Sequence, residues 1–529
     1  MFNTFPQSNL DLSLAECFQV QAGKFPDRLA VGHASGNLTY RQLNCAANTV
    51  AGNVVAETRD RERPVATLFD SDPYMVTAIL GVLKAGRCCI PLDPSNPETR
   101  NRLIFGEVRP DIIVTNERGM QSANTLAGNS ARVLDVADLG GTPDGADSCT
   151  SLPPGAVAFV LFTSGSTGQP KGVMVTQRQL MHMVRYHSNT RRISSDERLI
   201  ALTRCHHIGG IADMFRALLN GAVLYPYDLR TQSFNVLINS LIDDRITMIH
   251  CVPTIFRALV KLLPKEEQLP NLRLIHLGGE PVTRSDVELF KAQFSSGCKL
   301  VNNFGSSETG PLGQFFVDNQ TRLEGEIVPV HLGIEGKEIF LVNETPAWDG
   351  DGSIGEIVVR SRYMSAGYWS DTDAASATHL LDGCDALRTI QTGDLAQVKR
   401  NGVMVYLGRK DWQANISGNR VDLIEIEEII RRSGRCEDVA VAVQQSAQGE
   451  TRLVAYCVAN PSVSPTAKVL RRQLADDVPN YMIPAEFIFL DELPRTSTGK
   501  IDRLALISGN KLQQPADGER ISPGIQACR

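Results

Sequence analysis

A loop rich in hydroxyl groups and glycine stands out in the first third of the chain. The segment FTSGSTGQPKGV occupies residues 162–173, directly after the hydrophobic run AVAFVL. Glycine lets backbone N–H groups approach an anion closely, while Ser164, Ser166 and Thr167 add hydroxyl donors and Lys171 adds a positive charge. Because no GK[ST] sequence closes the pattern, it is not a Walker A loop. The segment therefore predicts a phosphate-binding loop at the end of a buried strand.

Carboxylates, hydroxyls and a lysine recur in three later segments. These segments are NNFGSSETG (302–310), TGDLA (392–396) and PRTSTGKIDR (494–503). Asp394 offers a carboxylate that can accept two hydrogen bonds from a cis-diol, although an aspartate in a tight turn is the alternative interpretation. A lone lysine such as Lys500 is usually a solvated surface charge. Lys500 is therefore a candidate functional residue only if its loop and the other segments belong to one site.

The elements that must position these loops alternate between strand-like and helical patterns. The run RPVATLF (63–69) precedes the amphipathic PYMVTAILGVLKAG (73–86), and DIIVTNE (111–117) follows. Such alternation predicts layered parallel α/β subdomains, in which ligands bind beyond the carboxyl ends of the strands. From about residue 340 the pattern changes to antiparallel hairpins, which predicts a β-barrel-like part.

Three regions follow from these patterns. We predict a large α/β N-terminal domain at residues 1–408, which carries the phosphate loop. A small α+β C-terminal domain at 409–508 would carry Lys500, and a loose polar tail would occupy 509–529.

The composition excludes few classes of function. The 529 residues carry a net charge of −6, which gives no reason to expect a nucleic-acid partner. The 12 cysteines contain no CxxC pair and no spacing suited to zinc, which indicates buried thiols in a reducing compartment. The N-terminus does not resemble a signal peptide, and no uncharged apolar run approaches the roughly 20 residues that span a membrane. We therefore expect a cytoplasmic protein without a membrane partner.

The loop TSGSTGQPKG resembles the signature loop of the adenylate-forming superfamily. That superfamily includes acyl- and aryl-CoA synthetases, the adenylation domains of nonribosomal peptide synthetases and beetle luciferases. The resemblance extends from about Leu38 to Arg503 and is closest to a stand-alone adenylation domain. Seven further segments follow the order of the family: LTYRQLN (38–44), LKAGRCCIPLDPSNP (83–97), LGGEPV (277–282), NNFGSSETG, TGDLA, GRKDWQANISGNRVDLIEIE (408–427) and PRTSTGKIDR.

The resemblance implies that the chain binds ATP and Mg²⁺ and activates a carboxylic acid. Glu308 would be the metal ligand and Thr309 would lie beside the α-phosphate, both in catalytic roles. Phe304 replaces the usual tyrosine and would still stack on adenine, while Asp394 would bind the ribose. The implied nucleotide contacts are Thr163, Ser164, Gly165, Ser166, Thr167, Gly168, Lys171, Gly279, Glu280, Asn303, Phe304, Gly305, Ser307, Asp394 and Arg409.

Two further positions take their roles only from the family. Lys500 would be catalytic and would bridge the carboxylate and the α-phosphate as charge develops. Asp411 would be the hinge about which the small domain rotates between adenylation and thioester formation.

The acyl pocket is implied by alignment of RCHHIGGIADMFRALLNGAVL (204–224). Ile208 stands where α-amino-acid enzymes usually carry the aspartate that pairs with the substrate ammonium, so we doubt an ordinary α-amino acid. We expect Asp213 to face away from the pocket. His207 would line the pocket, and a packing role in the core is the alternative interpretation for it. The small carboxylic acid is then an aryl, keto, hydroxy or short acyl acid. The pocket residues would be His207, Ile208, Gly209, Ala212, His250, Ile275, Leu277, Asn303, Pro311 and Leu312.

The acyl acceptor is less closely defined. The segments SGNRVDLIEIE and IPLDPSNP are more similar to those of adenylation domains that load carrier proteins than to those of CoA ligases. Because the chain ends within thirty residues of Lys500, we expect a separate carrier protein in natural-product assembly. A CoA ligase is the alternative. A luciferase-like oxidoreductase and a catalytically silent binding protein remain as other classes.

If Lys500 meets the α-phosphate in the transition state, its removal must slow adenylation. We expect Lys500→Ala to reduce the rate about 10²–10⁴-fold, as for the loss of a contact to developing charge. Pyrophosphate release by the purified variant measures this effect. A rate near that of the wild type would refute the role.

Overall fold

The protein is described by a computed structural model. It covers residues 4–58, 60–139, 149–163, 170–263, 269–347, 350–369, 386–410, 413–445, 451–463, 465–494, 501 and 503–508. These residues divide into two compact units, a larger one that ends at residue 410 and a smaller one that begins at residue 413. No helix within the described ranges is both long enough and apolar enough to cross a lipid bilayer.

The helices are mostly capped by side chains of the residue before them. Ser13 and Thr39 form capping boxes, and Asp72 accepts a hydrogen bond from the Met75 N–H at the start of the predicted helix 73–86. The α-helices are α1 Leu14–Lys24, α2 Tyr40–Glu57, α3 Pro73–Lys84, α4 Glu98–Val108, α5 Met120–Ala127, α6 Gln177–Arg191, α7 Ile208–Leu218, α8 Phe234–Asp243, α9 Pro253–Leu262, α10 Arg284–Gln293, α11 Leu423–Arg432, α12 Ala467–Asp477 and α13 Arg503–Ser508. Short 3₁₀ helices occupy Gln7–Asp11, Glu117–Gly119 and Asn480–Met482.

The strands follow the runs of apolar and β-branched residues. They are β1 Leu29–Val31, β2 Leu38–Thr39, β3 Val65–Leu68, β4 Cys89–Leu92, β5 Ile112–Thr115, β6 Arg132–Asp135, β7 Val157–Thr163, β8 Lys171–Thr176, β9 Arg198–Ala201, β10 Val223–Pro226, β11 Met248–Cys251, β12 Leu274–Gly278, β13 Lys299–Ser306, β14 Gly310–Val317, β15 Val330–Leu332, β16 Lys337–Pro346, β17 Ser353–Ser361, β18 Arg388–Val398, β19 Val403–Arg409, β20 Gln413–Ile416, β21 Asn419–Asp422, β22 Cys436–Gln445, β23 Thr451–Ala459 and β24 Glu486–Leu490.

Two sheets organise the larger unit. The six-stranded sheet has the order β6-β5-β3-β4-β7-β8, and only its β7–β8 pair is antiparallel. The second sheet has thirteen strands in the order β16-β17-β18-β19-β15-β14-β13-β12-β11-β9-β10-β1-β2. Strands β1, β10, β9, β11, β12 and β13 pair in parallel within it. The predicted α/β class is confirmed, and the predicted antiparallel part continues the same sheet from β14 onwards.

Helices fill the space between and outside the two sheets. Residues of α1, α2, α3, α6 and α7 form one core with Ile112 and Phe159 of the first sheet and Met248 and Val301 of the second. Helices α4 and α5 cover the outer face of the first sheet, and α8, α9 and α10 cover the outer face of the second. Because the strands are buried on both faces, they are near-continuous hydrophobic runs in the sequence.

The smaller unit has its own core. The β20–β21 hairpin, α11, α12 and the sheet β22-β23-β24 enclose residues such as Ile426, Val441 and Leu470. Glu427 of α11 accepts hydrogen bonds from the Val441 N–H at 2.6 Å and from the Arg503 guanidinium, which anchors α13. The element order matches the predicted small α+β domain. The predicted boundary at residue 408 lies inside β19, which pairs with β18 as far as Arg409.

Candidate active site

The turn between β13 and β14 is ordered by its own hydroxyl groups. The Thr309 N–H donates to the Ser306 Oγ at 3.2 Å, and the Ser306 N–H donates to the Thr309 Oγ1 at 3.3 Å. Gly305 must lack a side chain, because a Cβ there would lie 2.3 Å from the Gly310 carbonyl oxygen. Glu308 and Thr309 are both buried in this turn. The two residues predicted to meet the metal and the α-phosphate are therefore held before any ligand arrives.

Glu308 has the chemistry of a magnesium ligand. Its Oε1 accepts a hydrogen bond from the Tyr368 hydroxyl at 2.9 Å, and its carbonyl oxygen accepts one from the Ser365 N–H at 2.8 Å. A buried carboxylate beside hydroxyl groups is the hard oxygen environment that Mg²⁺ prefers. The residues present thus fit the Mg²⁺ ion that the sequence resemblance implies.

Two side chains from other elements fix the same turn. Gln179 of α6 donates to the Ser307 carbonyl oxygen at 2.8 Å. The Lys337 ammonium donates to the Pro311 carbonyl oxygen at 2.8 Å and also to that of Thr309. Burial of this ammonium lowers the pKa of Lys337 to about 7. Sequence reasoning missed Gln179 and Lys337, because both act on backbone atoms that are distant in sequence.

Asp394 and Arg409 are paired on neighbouring strands. They are cross-strand partners in β18 and β19, and the Arg409 Nη1 lies 3.0 Å from the Asp394 Oδ1. Arg409 also donates to the Thr392 carbonyl oxygen at 3.0 Å. Gly393 has a φ of +76°, which favours glycine before the aspartate. The structure therefore brings together the two residues predicted near the ribose.

Three of the predicted nucleotide contacts lie at two strand ends. Phe304 packs beside Tyr406, with 5.5 Å between ring centroids. Gly279, after β12, has a φ of +82°, and the Glu280 Oε2 accepts hydrogen bonds from the Thr254 N–H at 3.0 Å and hydroxyl at 2.8 Å. Glu280 thus connects the end of β12 to the first turn of α9. Its carboxylate is therefore hydrogen-bonded within the protein.

Several predicted site residues lie outside the described residues. These are the nucleotide contacts Ser164, Gly165, Ser166, Thr167 and Gly168, the hinge residue Asp411 and the catalytic Lys500. The two described ends of the phosphate loop are close together, because Thr163 and Lys171 are cross-strand partners in β7 and β8.

The predicted acyl pocket is only partly assembled. A Cβ on Gly209 of α7 would lie 3.1 Å from the His250 Cε1, so the first turn of α7 faces β11. His207 precedes α7 and packs on His206, with 4.2 Å between ring centroids, while Ile208 and Ala212 pack into the core between the sheets.

Four other pocket candidates do not join His250. Ile275 and Leu277 pack against α8, α9 and α10 on the opposite face of the sheet, since alternate residues of a strand point to opposite faces. Leu312 packs in a separate cluster with Val330, and the Pro311 carbonyl oxygen accepts from Lys337. The structure therefore does not place these four side chains beside His250.

Besides the predicted Asn303, the face of His250 carries residues that were not predicted to line the pocket. His276 is the register partner of His250, and their rings stack at 3.8 Å. Asp213 does not face away from the pocket as expected, because its Oδ2 lies 2.6 Å from the His250 Nδ1. Asn303 accepts hydrogen bonds from the His187 Nε2 at 3.2 Å and the Arg191 Nη2 at 3.1 Å. Pairing register was the missing signal, because it decides which residues of β12 accompany His250.

The layered fold, the ordered acidic turn and the Asp394–Arg409 pair define a class of enzyme that binds nucleotides. Residues 18–369 match the family model described as AMP-binding enzyme, and residues 425–500 match that of the AMP-binding enzyme C-terminal domain. The chain therefore belongs to the AMP-binding enzymes of the adenylate-forming superfamily, as its sequence motifs predicted.

Similar proteins place this family in two biochemical contexts. The chain is 30% identical over 95% of its length to a linear gramicidin synthase of Brevibacillus parabrevis, of which it spans 6%. It is also 30% identical, over 96% of its length, to a dimodular nonribosomal peptide synthase of Bacillus subtilis, of which it spans 21%. An o-succinylbenzoate CoA synthetase of Bacillus subtilis shares the fold, with a TM-score of 0.78, 20% identity and coverage of 94% of this chain and 99% of that one.

Titration of Lys337 gives a test of its burial. Its pKa of about 7 in the folded chain lies below the roughly 10.4 of an unfolded lysine, so the unfolded state binds more protons between these values. The free energy of unfolding of the wild type should therefore rise from pH 7 to pH 10 relative to Lys337→Met, by up to about 1.4 kcal/mol per pH unit. Denaturant titrations of both proteins across this range measure the difference.

The exposed Lys261 supplies the control for this experiment. Lys261→Met removes an ammonium that the fold does not bury, so a difference between this variant and the wild type is not an effect of burial. Parallel curves for wild type and Lys337→Met would contradict the buried ammonium.

Proposed function

We propose that the chain uses ATP to activate a carboxylic acid other than an ordinary α-amino acid, and then transfers the acyl group to the phosphopantetheine thiol of a separate carrier protein. The observation that carries this proposal is the buried Glu308–Thr309 turn, which is held by hydroxyl groups and by backbone contacts to Gln179 and Lys337. Such prior ordering is what an anionic reaction requires, because no reorganisation is then needed when charge develops.

In the proposed reaction, a carboxylate oxygen forms a bond to the α-phosphorus while the bond to pyrophosphate breaks. Both reactants are anionic, so their approach needs positioning and neutralisation of charge. Magnesium, held by Glu308, would supply part of that neutralisation. Lys171 and Lys500 would supply further positive charge at the phosphates, and Lys500 keeps its predicted role at the transferred group.

The ribose position is supported by the Asp394–Arg409 pair. An ionised carboxylate has about four acceptor positions, so the bond from Arg409 to Oδ1 orients Asp394 without exhausting its capacity. Arg409 thus positions the carboxylate that would bind the ribose hydroxyls. The remaining nucleotide contacts, including Gly279 and Phe304, stay as predicted from the family motifs.

The environment of Ile208 supports an acid without an α-ammonium. Ile208 is aliphatic and packs against the core between the sheets. The nearby carboxylate of Asp213 is already paired with Arg216 and with His250. A substrate ammonium beside Ile208 would therefore be buried without a counter-charge, which would weaken binding by about several kcal/mol.

The acceptor is proposed from the kinds of protein that the chain is similar to. The relatives named as peptide synthases favour a carrier protein, and the motif SGNRVDLIEIE agrees with this choice. A CoA ligase is the second candidate, favoured by the structural likeness to a CoA synthetase. In both cases the domain from residue 409 would rotate about Asp411 between the two half-reactions.

Exchange of labelled pyrophosphate into ATP across a panel of acids tests this function. We expect aryl, keto, hydroxy or short acyl acids, with Mg²⁺, to support exchange, and α-amino acids to support at least about tenfold less. Mass spectrometry of carrier-bound phosphopantetheine and of CoA then identifies the acceptor. Absence of exchange with every acid would contradict adenylation, and efficient exchange with an α-amino acid would contradict the assigned substrate class.

A further inference from the structure

Two arginines are fully buried between the sheets, at the edge of the proposed acyl pocket. Arg191 ends α6 and Arg216 lies on α7, and they are 2% and 1% exposed. The Arg216 guanidinium forms an ion pair with Asp213, which also bonds to His250 at 2.6 Å. Arg191, Arg216, Asp213, His187, His250 and His276 are named the arginine–histidine cluster below.

Arg191 lacks a carboxylate partner in the part of the chain that the structure describes. Its guanidinium contacts three neutral acceptors, the His276 Nδ1 at 3.0 Å, the Asn303 Oδ1 at 3.1 Å and the Gln314 Oε1 at 3.4 Å. Burial lowers the pKa of Arg191 to about 9, which still leaves it charged at neutral pH. Burial and the neighbouring arginines also lower the pKa of the three histidines, so these stay neutral.

The charges of the cluster therefore do not balance. Two guanidinium groups face one carboxylate, that of Asp213, and the cluster carries one excess positive charge. A buried charge without a counter-ion is strongly unfavourable, because it has lost its hydration and gained no partner. An anion that enters the cluster would remove that cost.

His276 provides an unused donor next to this charge. Its Nδ1 faces Arg191 at 3.0 Å and Arg216 at 3.3 Å, and both are obligate donors, so the imidazole proton must sit on Nε2. That Nε2 is buried and has no hydrogen-bond partner among the described residues. An ideal Cβ on Gly278 would lie 3.7 Å from it, so the donor points towards the carboxyl end of β12.

The same donors argue against a metal ion in this position. Asp213, His250 and His276 bring ligand atoms within 4.8 Å of one another, which is a spacing suited to a cation. However, guanidinium nitrogens lie 3.0 and 3.3 Å from the His276 Nδ1, and they would repel a cation there. The cluster is therefore suited to an anion.

His250 connects the cluster to the predicted pocket. Its side chain is 12% exposed, and its Cε1 lies 3.1 Å from where a Cβ on Gly209 would be, so the glycine allows the close approach of α7. His250, Gly278 and Asn303 all lie at the carboxyl ends of parallel strands, where ligands of such sheets bind. Asn303 also precedes the Glu308–Thr309 turn on the same hairpin.

From these observations we infer that the arginine–histidine cluster binds a second carboxylate of the substrate, so that the chain activates dicarboxylic acids. One carboxylate would be adenylated beside Thr309, while the other would accept hydrogen bonds from Arg191 and from the His276 Nε2–H. This inference rests on the proposed adenylation.

Pairs of acids that differ in one charge test the inference. Malonate, succinate, glutarate and phthalate are each compared with their monomethyl esters in pyrophosphate exchange by the intact chain. For at least one pair we expect kcat/KM to favour the diacid by about 100-fold or more, because a site with buried donors rejects an analogue that leaves them unpaired. Arg191→Met should reduce that preference to below about tenfold, Arg191→Lys should retain more of it, and the exposed Arg41→Met is the matched control.

Asn303→Asp keeps the inference testable if Arg191→Met folds poorly. This substitution would place a carboxylate where the Asn303 amide oxygen now lies, 3.1 Å from the Arg191 guanidinium, and would supply the missing counter-charge internally. The variant should melt at a higher temperature than the wild type and lose the diacid preference. A retained preference in a folded Arg191→Met or Asn303→Asp variant would overturn the inference.

The outcomes also separate this inference from the proposed function. Exchange with monocarboxylic acids but not with any diacid, or equal exchange with diacids and their esters, overturns the dicarboxylate assignment alone. Absence of exchange with every acid of both panels overturns adenylation itself.

Discussion

The parallel register of β9, β11, β12 and β13 is the constraint on which the rest of the site depends. Met248, Leu274 and Lys299 are aligned at the start of their strands, so the carboxyl ends form one edge. Glu280, Asn303 and the Glu308–Thr309 turn lie at that edge or directly beyond it. The same register sets His276 beside His250 and sends Ile275 to the other face. A shift by one residue would exchange these two faces and dismantle the pocket.

Burial of charge is the second constraint. The site must receive anions, and the fold meets this need by holding cationic groups away from water rather than on a flexible surface. Lys337 fixes the backbone of the acidic turn, Arg409 orients Asp394, and Arg191 has only neutral partners in the described chain. In a site of low dielectric constant each of these contacts has more effect on a ligand than it would in water.

Sequence reasoning predicted what local patterns encode. Strands β3, β5 and β7, helix α3 and the elements of the smaller unit follow from the hydrophobic runs and their periodicity, and the loops Ser306–Thr309 and Thr392–Asp394 follow from family motifs. Contacts that depend on pairing register were not predictable. The partnership of His276 with His250, and the reach of Lys337 to the Thr309 carbonyl, join positions that no local pattern relates. Arg191 and Arg216 also escaped notice, because arginines on amphipathic helices are usually solvated.

Equilibrium binding of ATP with Mg²⁺ tests the central claim that the acidic turn and the Asp394–Arg409 pair serve one nucleotide. Calorimetry would compare the wild type with Asp394→Ala, and with the control Asp27→Ala, whose carboxylate lies on the exposed surface beside Arg41. The wild type and the control should bind ATP equally well. Asp394→Ala should bind at least about tenfold more weakly, a loss of about 1.4 kcal/mol. Unchanged affinity in Asp394→Ala, or no ATP binding by the folded wild type, would contradict the claim.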